Sequence, residues 1–155
     1  MDYEIVKWLH ILSATLLFGT GLGSAFYKYM GDRSQDISTI AYTNKHVVLA
    51  DWVFTTPTIV IQPITGLILV SIIGGSITDV WVILSIVFYT LAGLCWLPVV
   101  VLQIRMSKIA KAARLNNSEL PDSYWRYANQ WFWLGIPAFL SMMLVFLFMV
   151  LKPGT

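Results

Sequence analysis

Polar side chains recur at helical spacing through an otherwise apolar stretch in the first half of the sequence. The steps between them are four, three, four and three residues, which place them on one face of an α-helix. In a lipid bilayer such groups are costly unless they face other helices or a wet cavity, so this face is predicted to point into a bundle. We call the stripe the polar seam, and its members are Asp51, Thr55, Thr58, Gln62 and Thr65.

The threonines of the polar seam have a structural explanation. Pro57 and Pro63 lie in the same stretch, remove two backbone N–H donors and should kink the helix. The hydroxyls of Thr55, Thr58 and Thr65 can donate to the carbonyls that these prolines leave free. Asp51 and Gln62 are less easily explained in this way.

Asp51 is predicted about 6 Å inside the bilayer boundary, where an ionised carboxylate needs a partner. Lys28 and Arg105 are expected at the same depth on neighbouring helices. A charge-assisted pair between Asp51 and one of these bases is favoured over a proton relay.

The chain has two histidines, and each lies near the end of a predicted span. His10 is expected about 3 Å inside one boundary of the membrane, and His46 lies at the opposite boundary. Because most of the bilayer separates them, they cannot ligate one metal or one haem iron within a single chain. A histidine near a helix end is either a hydrogen-bonded interfacial residue or a ligand, and the residues alone leave both interpretations open.

The composition is that of an integral membrane protein. Of the 155 residues, 57% are hydrophobic and only 12% are charged, and the mean hydropathy is +0.72, values far from those of soluble domains. Four windows are long enough to cross hydrocarbon. They predict a single all-α transmembrane domain over residues 1–155, an antiparallel four-helix bundle with a kinked second helix, with spans at about 8–27, 47–73, 80–102 and 131–151.

Basic residues are concentrated on one side of this predicted bundle. Eight of the ten lysines and arginines fall on the side of the first and third loops, and only Lys7 and Lys152 fall on the other. By the positive-inside rule the chain is a multi-pass protein of a bacterial-type inner membrane with both termini outside. The basic cluster that follows the third span suits anionic headgroups of the lipid bilayer, and no independent basic domain for nucleic acid is present.

Several kinds of active site are unsupported. The chain has one cysteine, Cys95, so neither an intrachain disulfide nor a thiolate cluster can form. No nucleophile and base pair, phosphate-binding loop or paired carboxylates fall in one leaflet, which speaks against hydrolysis and phosphoryl transfer. Whether the protein is an enzyme stays open.

Small residues form one face of the first span. Gly19 and Gly23 give a G-x-x-x-G pattern, whose usual meaning is close approach of a neighbouring helix. The neighbour can belong to the same bundle, to a second copy of the chain or to a larger membrane complex.

Short motifs in the spans resemble known membrane proteins. The order and spacing of five segments are similar to those of HemJ-type proteins, and two further segments more closely resemble an uncharacterised family of predicted four-span integral membrane proteins. The first five are Lys7–His10, Thr55–Pro57, Gly66–Leu69, Trp81 and Arg105–Lys108, and the other two are Leu49–Trp52 and Gln62–Gly66.

The HemJ-type resemblance implies a four-helix bundle that binds haem b, with His10 as the axial ligand. HemJ-type proteins oxidise protoporphyrinogen IX, and four of their charged or aromatic residues are replaced here by Phe26, Gly31, Asp51 and Ser85. The resemblance therefore implies haem binding rather than the porphyrinogen reaction. A second axial ligand would be Met149, expected at the same depth on the fourth span, or His10 of a symmetric neighbour.

The sequence therefore favours a small membrane protein that binds haem b and has a redox or electron-relay role. Two other functions stay open. One is a non-catalytic membrane subunit that packs with a larger complex, and the other is a conduit along the polar seam. The conduit is disfavoured because the chain has no repeated halves.

Overall fold

The structure is a computed structural model that describes residues 2–154. It consists of four long apolar helical segments, which we call rods. All four are long and apolar enough to cross a membrane, which confirms the predicted all-helical fold with four spans. The second rod contains two α-helices joined by a π-helical turn at Asp51–Thr55. The helices are α1 (Tyr3–Arg33), α2 (Ile37–Ala50), α3 (Thr56–Ile72), α4 (Val80–Leu115) and α5 (Asp122–Leu151).

The helices continue past the predicted spans because hydropathy reports only the segment in hydrocarbon. α1 extends to Arg33 and α4 to Leu115, into polar sequence that keeps helical hydrogen bonding. The Asp36 carboxylate caps α2 by accepting from the Thr39 N–H at 2.7 Å, as short polar residues do at helix starts. We call the end of the bundle with residues 34–36 and 116–121 the loop end. The opposite end, with the chain termini and the 73–79 turn, is the terminal end.

The prolines of the second rod are accommodated differently from the sequence-based expectation. Pro63 lies inside α3 and cannot donate to the carbonyl of Ile59, four residues earlier. The hydroxyl of Tyr89 on α4 donates to that carbonyl at 2.8 Å. Thr58 and Thr65 donate instead to the carbonyls of Phe54 and Ile61, so the prediction that threonines satisfy the carbonyl freed by Pro63 is wrong.

The rods pack as two pairs, which also meet at the terminal end through Val70 of α3 and Trp81 and Val82 of α4. α5 packs along α4, and α1 packs against the second rod. The pairs meet near the loop end, where α2 contacts α4 around a shared core. This core comprises Ile40, Ala41, Val99, Leu102, Met106, Ala110, Tyr124 and Trp131. α1 meets α5 through the ring of Phe18, which packs against Phe139 and Phe146, and cavities lie between the two pairs.

Glycine brings helices together at two positions other than those predicted. A Cβ on Gly66 would lie 3.1 Å from Cε1 of His10, and one on Gly31 would lie 2.8 Å from Oγ1 of Thr43. A Cβ on Gly19 or Gly23 would meet nothing within 4 Å. Within the described chain these two glycines therefore make no close helix contact, and their predicted role against a second molecule stays a prediction.

Candidate functional site

His10 lies against the polar seam. All five seam residues are buried, and the seam faces α1 and the interior of the bundle. The imidazole Nδ1 lies 2.8 Å from Oγ1 of Thr65, and its Nε2 lies 3.3 Å from Nε2 of Gln62. Gly66 leaves room for the ring, because a side chain there would strike it. The structure thus joins two features that the sequence presents separately.

The hydrogen bonds around His10 define which ring nitrogen carries the proton. The Thr65 hydroxyl donates to the carbonyl of Ile61 at 2.8 Å, so its oxygen accepts from Nδ1–H of His10. The hydroxyl of Ser13 donates to Oε1 of Gln62, which turns the Gln62 NH₂ group toward the histidine. This arrangement favours the tautomer in which Nε2 of His10 is the unprotonated nitrogen, with its lone pair as the ring's available ligand.

A cavity of about 400 Å³ opens beside this imidazole. Residues from α1, α3, α4 and α5 line it, including His10, Gln62, Gly66, Trp81, Ser85 and Met149, and we call it the histidine cavity. His10 and Met149, which sequence analysis selected as cofactor ligands, thus face one space. Lys152 also lines this cavity and lies over the Trp81 ring at 5.4 Å.

Asp51 does not pair with either base proposed from the sequence. Its Oδ1 accepts from the Thr55 hydroxyl at 2.8 Å, its buried Oδ2 makes no hydrogen bond within residues 2–154, and the Gln103 side chain lies beside the carboxylate. Lys28 instead bonds Asp32 of its own helix at 2.5 Å, and the Arg105 guanidinium lies over the ring of Tyr127. The predicted Asp51 ion pair is wrong because a carboxylate one turn away already occupies Lys28.

Asp51 faces a second cavity, of about 370 Å³. Its lining residues include Asp51, Thr55, Tyr89, Trp96, Gln103 and Trp131, and we call it the tryptophan cavity. Tyr89 lines both cavities and therefore stands between them. The polar seam connects the two spaces, with Asp51 and Thr55 at one and Gln62 at the other.

A buried polar cluster holds three rods together at the loop end. The Tyr124 hydroxyl accepts from Nζ of Lys28 at 3.0 Å and from Nδ2 of Asn44 at 2.7 Å, and it donates to Asp32 at 2.5 Å. Lys28, Asn44 and Tyr124 are almost completely buried. The Lys28 ammonium, the Tyr124 hydroxyl and both carboxylate oxygens of Asp32 all have partners in this hub, so the cluster stabilises the fold rather than presenting a reactive group.

Conventional multidentate metal sites are excluded for the described residues. Between residues 2 and 154, no three histidine, cysteine, aspartate or glutamate side chains come together. A metal held at His10 would therefore need other ligands of its own, as the porphyrin nitrogens of a haem provide.

Sequence reasoning missed several residues of these sites. Ser13 could have been predicted from the sequence, because it lies three residues after His10 and so shares its helix face. No sequence pattern identifies Tyr89, Gln103 and Trp96, because their roles depend on how α4 is rotated against the other helices.

The comparison with known families gives one match. Residues 4–153 match the family described as predicted integral membrane protein, DUF2269. Neither a curated protein nor a solved structure matches the chain.

Proposed function

The chain belongs to the DUF2269 family of predicted integral membrane proteins, and we propose that it binds haem b in the histidine cavity and serves as a membrane redox protein. The observation that supports the proposal is the orientation of His10. Thr65 holds the protonated Nδ1, and Nε2 presents its lone pair. Metal-ligating histidines are commonly fixed in this way, by a hydrogen bond from the ring nitrogen that does not bind the metal.

The residues present fit a haem group. The cavity volume of about 400 Å³ lies in the range of small-molecule sites. His10 supplies an imidazole and Met149 a thioether, a pair that ligates haem iron in cytochromes. Lys152 at the cavity provides positive charge for the propionate carboxylates.

The chain's own groups perform three tasks in this proposal. Thr65 keeps the proton on Nδ1 and so keeps Nε2 a ligand. Gln62 lies beside Nε2 of His10, and Ser13 donates to the Gln62 amide oxygen, so Gln62 would orient the imidazole toward a bound group. The mostly apolar walls of the cavity would limit the access of water to that group. Bound haem supplies one-electron transfer at a potential set by the axial ligands.

We also propose an orientation of the protein in the membrane. With most lysines and arginines at the loop end, the positive-inside rule puts that end in the cytoplasm. The histidine cavity, nearer the terminal end, then lies on the outer side of a bacterial-type inner membrane. An alkaline phosphatase fused after residue 155 is expected to be active, since this enzyme requires export, and an inactive fusion would reverse the orientation.

Titration of the purified, haem-free protein with haemin tests the proposal. The wild type is expected to develop a Soret band that saturates at one haem per chain, and His10→Ala to lose it. His46→Ala is the matched control, because His46 is only partly buried and interacts with Tyr42 of its own helix, through the backbone carbonyl and the ring. Equal titrations of the His10 and His46 variants would refute His10 as the ligand.

A non-catalytic subunit is the second candidate function. Its support is the small-residue face of α1, where Gly19 and Gly23 meet no atom of their own chain within 4 Å. A second copy would pack there through close backbone approach. Gly23→Leu is then expected to lower self-association in detergent, measured by analytical ultracentrifugation, and an unchanged mass distribution would remove the homo-oligomeric form of this candidate.

A further inference from the structure

Three buried polar atoms that make no hydrogen bond belong to residues that line the tryptophan cavity. They are Oδ2 of Asp51, Nε1 of Trp96 and Nε1 of Trp131, and they are the only buried side-chain polar atoms of residues 2–154 that lack a hydrogen bond. All three residues line this cavity. Buried polar groups in folded proteins are normally hydrogen-bonded, so three unpaired groups at one cavity indicate a binding site.

The surroundings restrict what this ligand can be. Asp51 is 6% exposed and Trp131 is 9% exposed, so both residues lie in the wall of the cavity, away from bulk solvent. No lysine or arginine of the described chain lines the space, which disfavours phosphate or carboxylate head groups. The two indole N–H groups are donors and require acceptor oxygens. Asp51 donates when its carboxyl is protonated and accepts when it is ionised.

The mouth of the cavity faces the bilayer. Leu22 of α1 and Leu140 of α5 both line the cavity and are about half exposed, at 50% and 55%. These side chains lie on the apolar outer surface of the bundle, where lipid is the solvent. A ligand therefore enters laterally from the membrane and is itself lipophilic.

We infer that the tryptophan cavity binds a lipophilic quinone. A quinone ring carries oxygen atoms that accept from Trp96 and Trp131, and in the quinol form its hydroxyl donates to Asp51. The planar ring suits walls that contain Phe18, Tyr89 and Trp131, since aromatic side chains favour stacked or edge-on contact. This site uses neither His10 nor Met149 and does not depend on haem binding.

Native mass spectrometry of the full chain in detergent tests this inference, with decylubiquinone as the probe and dioctanoylglycerol as a neutral lipid without a ring. Decylubiquinone is expected to bind the wild type at least tenfold more tightly than dioctanoylglycerol. Trp96→Phe and Trp131→Phe each remove one N–H donor and keep an aromatic ring. Each is expected to weaken quinone binding about fivefold, the value of one hydrogen bond.

Two further variants serve as a negative control and as a block of the cavity. Trp133→Phe changes an indole that is 63% exposed and lies outside the cavity lining, so its affinity should equal that of the wild type. Gly135→Leu fills the cavity, because a Cβ at Gly135 meets nothing within 4 Å, and it should abolish binding while helical content by circular dichroism is retained. Quinone binding that survives Gly135→Leu, that is unaffected by both indole substitutions, or that is no tighter than dioctanoylglycerol binding would overturn the inference.

Discussion

The hydroxyl of Tyr89 donates a hydrogen bond of 2.8 Å to the carbonyl oxygen of Ile59. This bond replaces the backbone hydrogen bond that Pro63 cannot make, and it links α4 to the middle of α3. It also places Tyr89 between the two cavities. A proline in the second rod thus has a structural consequence on α4, at the wall that separates the candidate sites.

Tyr89→Phe should lower the free energy of unfolding by about 1–3 kcal/mol, because it leaves a buried carbonyl without a donor. The double variant Tyr89→Phe, Pro63→Ala should recover most of this loss, since the restored N–H of residue 63 can bond to Ile59. Unfolding in detergent, followed by circular dichroism, measures both values. Equal stability of the single and double variants would contradict this role of Tyr89.

Thr65→Val should weaken haemin binding about tenfold, the lower end of the effect seen when the partner that orients a metal-ligating histidine is removed. Valine has nearly the same shape but cannot accept from Nδ1–H of His10. Thr58→Val is the control, because the Thr58 hydroxyl bonds only backbone carbonyls. Haemin titration measures the two affinities, and a Thr65 variant that binds as tightly as the control would show that Thr65 does not orient the ligand.

Met149→Leu should convert a six-coordinate haem into a five-coordinate one, because leucine keeps the volume but has no thioether. The change is read in the absorption spectrum of the oxidised protein and in faster carbon monoxide binding to the reduced protein. Met143→Leu, at a position that is 47% exposed and outside the histidine cavity, should leave both unchanged. If the Met149 variant keeps the wild-type spectrum, the second ligand must come from elsewhere, with His10 of a second copy the next candidate.

Tyr124→Phe should lower the free energy of unfolding by about 2 kcal/mol, because it removes the shared partner of Lys28, Asn44 and Asp32. Tyr27→Phe is the matched control, since Tyr27 is 68% exposed. Haemin affinity of the folded Tyr124 variant should stay at the wild-type value, because the cluster lies at the loop end, away from His10. A stability loss as small as that of the control would show that the hub is dispensable.

The sequence predicts the fold well because hydropathy directly measures which segments tolerate hydrocarbon. It also predicts which residues of the second rod share a face, since the spacing of Asp51, Gln62 and Thr65 follows from helix geometry. Both properties are local. The residues of one helix determine them without reference to the others.

Contacts between helices could not be predicted from the sequence, for a physical reason. Lys28 was expected to pair with Asp51 across the bundle, yet Asp32 lies one turn away on the same helix and binds Lys28 first. Likewise, the glycines that allow close approach are Gly31 and Gly66, because the rotation of α1 turns Gly19 away from its neighbours in the chain. Helix rotation depends on many weak contacts and leaves no short sequence signature.

We propose above all that the imidazole of His10, held by Thr65, is the ligand of a haem. The most direct test is the visible absorption spectrum of the wild type purified from haem-replete cells, recorded beside His10→Ala. We predict a Soret band in the wild type, with sharpened α and β bands on reduction, and its loss in His10→Ala. A wild-type protein without a Soret band, or an equally intense band in the variant, would contradict the account.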